Sequence, residues 1–221
     1  YGLAMVRTII THPGGSHKDD LLAVCVLVAE YNAPILRREP RSEELDDAGI
    51  AVVDIGGVHD PDRMNFDHHQ FSREHDPSSA LSLVLDHLGL YEDAIRFCDW
   101  LEPAEWFDSR GAKKTAEWLG VPRRAISQLN SPIDMTLLRR FAQKTELEAG
   151  DPLYEFMRFV GEDLLEYLRG IRQRLDFAAE HVQRWSITHG AEVIEVAFLP
   201  WTDSVVDEPR AAVANFVLAE E

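Results

Sequence analysis

Short apolar runs alternate with stretches of helical spacing over the first half of the chain. Residues 3–11 (LAMVRTIIT), 33–38 (APILRR) and 50–55 (IAVVDI) are β-rich apolar runs of the kind that form buried strands. The third is almost continuously apolar, which suits a parallel sheet covered on both faces. A shorter run, residues 63–66 (RMNF), reads as a fourth strand that delivers polar residues to its end. After the first run, Pro13, Gly14 and Gly15 let the backbone turn, and Ser16 starts a helix with Asp19 at its N3 position. Leu21, Leu22, Val24, Cys25 and Val28 form the apolar face of that helix. Residues 41–48 make a short acidic helix or loop. Strands separated by helices of this length predict an α/β fold: a parallel sheet flanked by helices, with right-handed crossovers.

The second half is mostly helical. Helices are expected over residues 78–88, 91–101 and 131–145, the last opened by Ser131 and Pro132 as N-cap and N1. From Asp151 to about residue 185, Leu153, Phe156, Met157, Val160, Leu164, Leu168, Ile171, Leu175 and Ala178 recur at helical spacing, and the charges between them read as a solvated face. Roughly 34 residues at about 1.5 Å each would span some 50 Å, a length that connects two lobes. The character then changes. Residues 192–199 (EVIEVAFL) alternate as a half-buried strand does, and residues 211–218 form a further apolar helix or strand.

Charge narrows the function. Lys and Arg total 22 against 39 Asp and Glu, a formal net charge of −17. Such a surface repels phosphate backbones, so broad electrostatic capture of nucleic acid is disfavoured, and an anionic substrate needs metal ions or a local basic cluster. Cys25 and Cys98 read as buried free thiols of a reducing compartment. No apolar run approaches the roughly 18 residues of a membrane helix, and no signal-peptide pattern opens the chain. The expectation is a cytoplasmic protein.

The candidate chemistry gathers at the ends of the expected strands. His12, His17 and Asp19 follow the first; Asp54, then Gly56 and Gly57, close the third; Asp67, His68 and His69 close the fourth. Adjacent Asp-His-His crowds three polar groups that each need a partner, and imidazole with carboxylate suits Zn²⁺ or Mn²⁺. In open α/β sheets ligands bind beyond the carboxyl ends of the strands, so these groups would converge. Singly, each has a plainer role, such as a cap for Asp19 or a turn for Asp54; one shared site accounts for them jointly. Arg110, Lys113 and Lys114 form a basic cluster that is a candidate for phosphate contact, against the plainer reading of a solvated patch. His181 and His189 carry no partner pattern and read as structural.

The run His12-Pro13-Gly14-Gly15-Ser16-His17-Lys18-Asp19, then Val53-Asp54-Ile55-Gly56-Gly57 and Phe66-Asp67-His68-His69-Gln70, resembles the DHH phosphoesterase superfamily, and within it the melanocyte-proliferating-gene family of metal-dependent hydrolases and exonucleases. The likeness covers about residues 5–115. Pro13, Lys18 and Asp20 depart from the family's usual Asn, Cys and Glu.

The resemblance implies a site with two divalent ions, usually Mn²⁺, with Zn²⁺, Co²⁺ or Mg²⁺ as alternatives. Asp54 would bridge them; His12 and His17 would hold one, and Asp19, His68 and a later aspartate the other. That later residue is read as Asp108, because a turn at Ser109-Arg110-Gly111 can present a ligand, with Asp99, expected inside a helix, as the competitor. Asp67 would orient its neighbours, and His69 would reach the phosphate or assist the leaving oxygen. Residues 1–120 would then be the catalytic domain, 121–185 a helical segment and connecting helix, and 186–221 the start of a small C-terminal lobe, either minimal or part of a longer protein. The implied function is a metal-dependent phosphoesterase acting on short oligonucleotides, nucleotides or other small phosphate esters. The alternative is a non-catalytic metal- or nucleotide-binding module.

Overall fold

The computed structural model describes residues 5–72, 74–128, 131–203 and 206–220. Its elements run β1 (Thr8–Thr11), α1 (Lys18–Tyr31), β2 (Ile35–Arg37), α2 (Ser42–Leu45), β3 (Ile50–Val53), β4 (His59–Asp60), β5 (Asn65–Phe66), α3 (Ala80–His87), α4 (Tyr91–Phe97) and α5 (Leu101–Leu119). There follow α6 (Arg123–Gln128), α7 (Pro132–Ala142), β6 (Glu146–Leu147), α8 (Pro152–His181), β7 (Gln183–His189), β8 (Glu192–Phe198) and α9 (Pro209–Leu218). The chain divides into two compact units, one up to Leu164 and one from Leu165.

The first unit is an α/β fold, as its alternation of strands and helices predicts. Six strands lie in the order β4-β5-β3-β1-β2-β6, with β2, β1, β3 and β5 parallel and the short edge strands β4 and β6 antiparallel. Ile9, Ile10, Ile35, Ala51, Val52, Val53 and Phe66 are buried completely. A buried Ile, Val or Phe contributes about 1.5–3 kcal/mol relative to an exposed one, so these short central strands are held mainly by the layers that cover them. Helix α1 packs on α3, α5 and α7, and α8 reaches it at Gly161, where a Cβ would stand 2.0 Å from the Cys25 carbonyl oxygen.

The strand register positions the site. Thr11 pairs with Val53 and Val53 with Phe66 across parallel strands. The next residue of each strand, His12, Asp54 and Asp67, therefore emerges at the same end of the sheet. Asp54 turns off β3 with φ 57°, and its N–H donates to the Phe66 carbonyl at 2.9 Å. A left-handed backbone is uncommon outside glycine but is tolerated best by Asn, Asp and His.

Several elements differ from expectation. Residues 3 and 4 of the first expected strand lie outside the described residues, and β1 starts at Thr8. Helix α1 has His17, not Ser16, as its N-cap, so Asp20 rather than Asp19 is the N3 residue. The expected helix 91–101 is two helices, interrupted at Cys98 to Trp100. Asp99 is an exposed turn residue, whereas Asp108 lies within α5, whose two helical pieces are separated by a non-helical Gly111 (φ 77°, ψ 166°), at the end of the turn expected over 109–111. The edge strand β6 was not anticipated.

In the second unit the long helix stops at His181, and Gln183–His189 joins Glu192–Phe198 as an antiparallel hairpin. The alternation in 192–199 therefore marks a strand, but the hairpin is exposed along most of both strands rather than half-buried. Trp185 stacks on Phe198 with ring centroids 4.4 Å apart, and Arg174 Nε donates to Asn215 of α9 at 3.1 Å. Among the described residues no helix is long and apolar enough to cross a membrane.

Candidate metal centre

Beyond the ends of β1, β3 and β5, side chains from four parts of the first unit meet at His68. Its Nε2 lies 3.1 Å from Asp54 Oδ1 and 2.8 Å from Asp108 Oδ2. Asp19, in the first turn of α1, shares this position: one ligand atom from each of Asp19, His68 and Asp108 falls within 4.8 Å of the others. Asp54, His68 and His69 form a second such group. Asp19, Asp54 and His68 are buried, and Asp108 is nearly so.

Asp54 also faces a second position. Its Oδ2 lies 3.5 Å from Nε2 of His12, whose Nδ1 is 3.0 Å from the Pro13 carbonyl and is thereby held as the donor. One carboxylate thus turns an oxygen toward each of two imidazoles. The N-terminus of α3 helps fix the opposite wall: Asp19 accepts from the N–H groups of Ala80 at 2.9 Å and Leu81 at 3.0 Å.

Charge is concentrated here beyond what the protein groups balance. Burial, and then the charges of Asp108 and Asp54, push Asp19 up to about 7 from 3.8. Burial lowers the His68 pKa, but hydrogen bonds to Asp108 and Asp54 outweigh it and raise the imidazole to about 10. The hydrogen bond to Asp20 raises His12 to about 9 against the opposing effect of burial. Carboxylates crowded until one is driven toward its neutral form, with imidazoles drawn in as counter-charges, are what a divalent cation would relieve. The donor set of carboxylates and imidazoles fits Mn²⁺ or Zn²⁺.

Asp67 and His69 are organised differently. Asp67 Oδ2 accepts from Gly57 N at 2.6 Å, made reachable by the left-handed turn at Gly56 and Gly57. Its Oδ1 accepts from the His69 N–H at 3.0 Å and lies 2.7 Å from His69 Nδ1. Burial pushes the Asp67 carboxyl up, but these hydrogen bonds prevail and hold it below its usual value. The His69 side chain is 64% exposed.

Not every expected residue joins. His17 is exposed, with its ring centroid 6.3 Å from that of His12. Arg110 donates to the His75 carbonyl, and Lys113 and Lys114 lie 3.9 and 3.4 Å from Glu117. Asp99 is exposed, far from the role of a buried ligand.

Two residues that sequence reasoning passed over are built into the site. Asp20 is fully buried and stands 3.3 Å from His12 Nε2. Arg37, 3% exposed at the end of β2, donates to the carbonyls of Gly14 at 3.2 Å and Phe141 at 3.0 Å. The signal for Asp20 was present: it lies three residues after His17, the spacing of an N-cap and its N3 partner. Arg37, one of two adjacent arginines closing a strand run, carried no such signal.

Residues 8–91 match the model of an uncharacterised protein family (UPF0160). The chain is 42% identical over 64 residues to the MYG1 exonuclease of Bos taurus, covering 28% of this chain and 16% of that protein. It is 45% identical over 64 residues to the MYG1 exonuclease of Rattus norvegicus, covering 27% and 16%, and 42% identical over 64 residues to that of Homo sapiens, covering 28% and 17%. The matching stretch is thus a small part of the length of these relatives. No solved structure matches.

Proposed function

We propose that the first unit is a divalent-metal-dependent phosphoesterase of the DHH type, acting on short oligonucleotides, nucleotides or other small phosphate esters in the cytoplasm. The observation that carries this reading is the single carboxylate of Asp54 set between His68 and His12, with Asp19 and Asp108 closing on His68. The exonuclease name of the MYG1 relatives supports a phosphodiester substrate. The buried, unpaired Cys25 and Cys98 are in keeping with a reducing compartment.

His68, Asp19 and Asp108 would hold one Mn²⁺, and Asp54 would share it with a second ion on the His12 side. When bound, such a pair lowers the pKa of a coordinated water and offsets charge on the phosphoryl group. The remaining work belongs to the protein. Asp67 fixes the His69 ring through Nδ1–H, which leaves Nε2 turned outward to hand a proton to the departing ester oxygen. Arg110, Lys113 and Lys114 would draw in one or two phosphates; the lysines are 80% and 65% exposed, and their exposed pairs with Glu117 cost little to give up.

The net charge of −17 gives long strands little attraction, so short substrates should be preferred. The test is hydrolysis of bis(p-nitrophenyl) phosphate and of an RNA length series, with Mn²⁺ and with EDTA. Metal-dependent turnover with the highest kcat/KM on the shortest strands is expected. No turnover with Mn²⁺ would reject the enzyme, and a kcat/KM that climbs with length would reject the short-substrate preference.

A further inference from the structure

We infer that Glu105 is a positioning residue of the centre: from α5 it holds the start of α3 that grips Asp19, and it anchors the turn of α5 that carries Asp108. The inference rests on the metal reading above and adds to it the residue that sets two of the ligands against each other. Asp19 accepts from the N–H groups of Ala80 and Leu81, the first two residues of α3. The Ser79 side chain hydrogen-bonds to Asp19 as well, and its hydroxyl lies 2.9 Å from that of Ser82. Ser82 Oγ in turn donates to Glu105 Oε1. A chain of hydrogen bonds thus runs from a ligand of the centre through α3 to α5.

Glu105 stands three residues before Asp108, so the two share a side of the helix. Its carbonyl accepts from Ser109 Oγ at 2.6 Å. Gly111 breaks α5 shortly after Asp108, which leaves Asp108 on the helical piece that Glu105 anchors. A plain N-cap does not account for this arrangement. Ser79 caps α3 by accepting from the Ser82 N–H at 3.3 Å, and that cap needs neither the Ser82 hydroxyl nor a carboxyl from another helix. Ser79, Ser82 and Glu105 are all buried, and a carboxyl kept out of water is costly unless its hydrogen bonds do something that an apolar pair would not. Burial pushes Glu105 up, against hydrogen bonds from Ser82 and from Tyr91 at the start of α4. The two donors lead in different directions. Ser82 leads toward Asp19, and Tyr91 toward α4, which supplies no member of the metal-binding groups among the described residues.

Calorimetric titration with Mn²⁺ separates these directions, with circular dichroism to confirm that each variant is folded. Partners that orient metal ligands typically carry about 10–100-fold in affinity, so Ser82→Ala should weaken one of the two ions at least tenfold. Tyr91→Phe removes the donor on the other side of the same carboxyl and should bind as wild type does. Glu105→Gln keeps an acceptor for Ser82 and should also keep wild-type affinity, whereas Glu105→Ala should lose as much as Ser82→Ala. Wild-type affinity in Ser82→Ala, or an equal loss in Tyr91→Phe and Ser82→Ala, overturns the inference and leaves the metal reading in place. Wild type that binds no Mn²⁺ overturns the metal reading itself and this inference with it. Should Ser82→Ala not fold, Ser82→Cys keeps a side chain of similar shape with a weaker donor. Affinity should then fall in Ser82→Cys and not in Tyr91→Phe, and equal affinity in the two would overturn the proposal.

Discussion

Nε2 of His68 stands 2.8 Å from Oδ2 of Asp108, which joins the Asp-His-His end of β5 to the middle of α5. Through this contact a residue late in the unit enters a site otherwise built from strand ends and the first turn of α1. Asp108→Asn should lower Mn²⁺ affinity by at least tenfold, whereas Asp99→Asn, in an exposed turn, should leave it unchanged. Isothermal titration of both variants checks the assignment, and a loss in Asp99→Asn alone would reverse it.

His68 and His69 should separate. His68 is buried between two carboxylates, and His69 is held by Asp67 with most of its ring in solvent. His68→Ala should lose metal, while His69→Ala should keep it and lose turnover by about 10²–10⁴, the usual range for a general acid. Equal metal loss in the two variants would reject the division of roles.

The convergence of these groups was legible because parallel strands in register bring their following residues to one end, and apolar runs ending in polar residues mark those ends. What the pattern did not fix was the phase of a helix. Neighbouring residues of a helix point about 100° apart, so starting α1 one residue later gives the N3 position to Asp20. Asp20 therefore takes the capping-box position expected for Asp19, and Asp19 instead reaches α3. Asp108 is preferred over Asp99 because of the turn expected at 109–111, and the chain does break there: Gly111, at φ 77° and ψ 166°, takes a backbone open to glycine and separates two helical pieces of α5. The strand β6 is two residues long, too short for alternation to reveal it, and it is paired through β2.

Stability without metal should fall as pH rises. His12 and His68, raised from 6.5 to about 9 and about 10, stabilise the fold fully below pH 6.5, and this is lost as pH climbs through their folded values. Asp19, raised from 3.8 to about 7, keeps a proton in the fold that the unfolded chain releases, so its ionisation also disfavours the fold across that interval. In EDTA the Tm should therefore decline from about pH 6 to about pH 9. Added Mn²⁺ competes with these protons, so the Tm gain it gives should grow over the same range. Differential scanning calorimetry reads both; a Tm that rises with pH in EDTA would contradict the charge balance described.

Gly161 is required by contact and not by backbone angle. A Cβ there would lie 2.0 Å from the Cys25 carbonyl oxygen and 2.8 Å from Ala29 Cβ, forcing α8 away from α1. Gly161→Ala should destabilise by about 1–3 kcal/mol or more. Gly170→Ala, in the same helix with no atom nearer than 3.5 Å, should be neutral or stabilising by up to about 1 kcal/mol. Urea unfolding of the two variants distinguishes a packing requirement from a general effect on the helix.

The shared role of Asp54 is tested most directly by the Mn²⁺ content of Asp54→Asn. Asn tolerates the left-handed backbone that Asp54 adopts, so the turn off β3 should survive and the circular dichroism spectrum should match wild type. Elemental analysis should then show two Mn²⁺ per chain in wild type and loss of most of the bound metal in the variant. Two ions retained by Asp54→Asn would contradict the account.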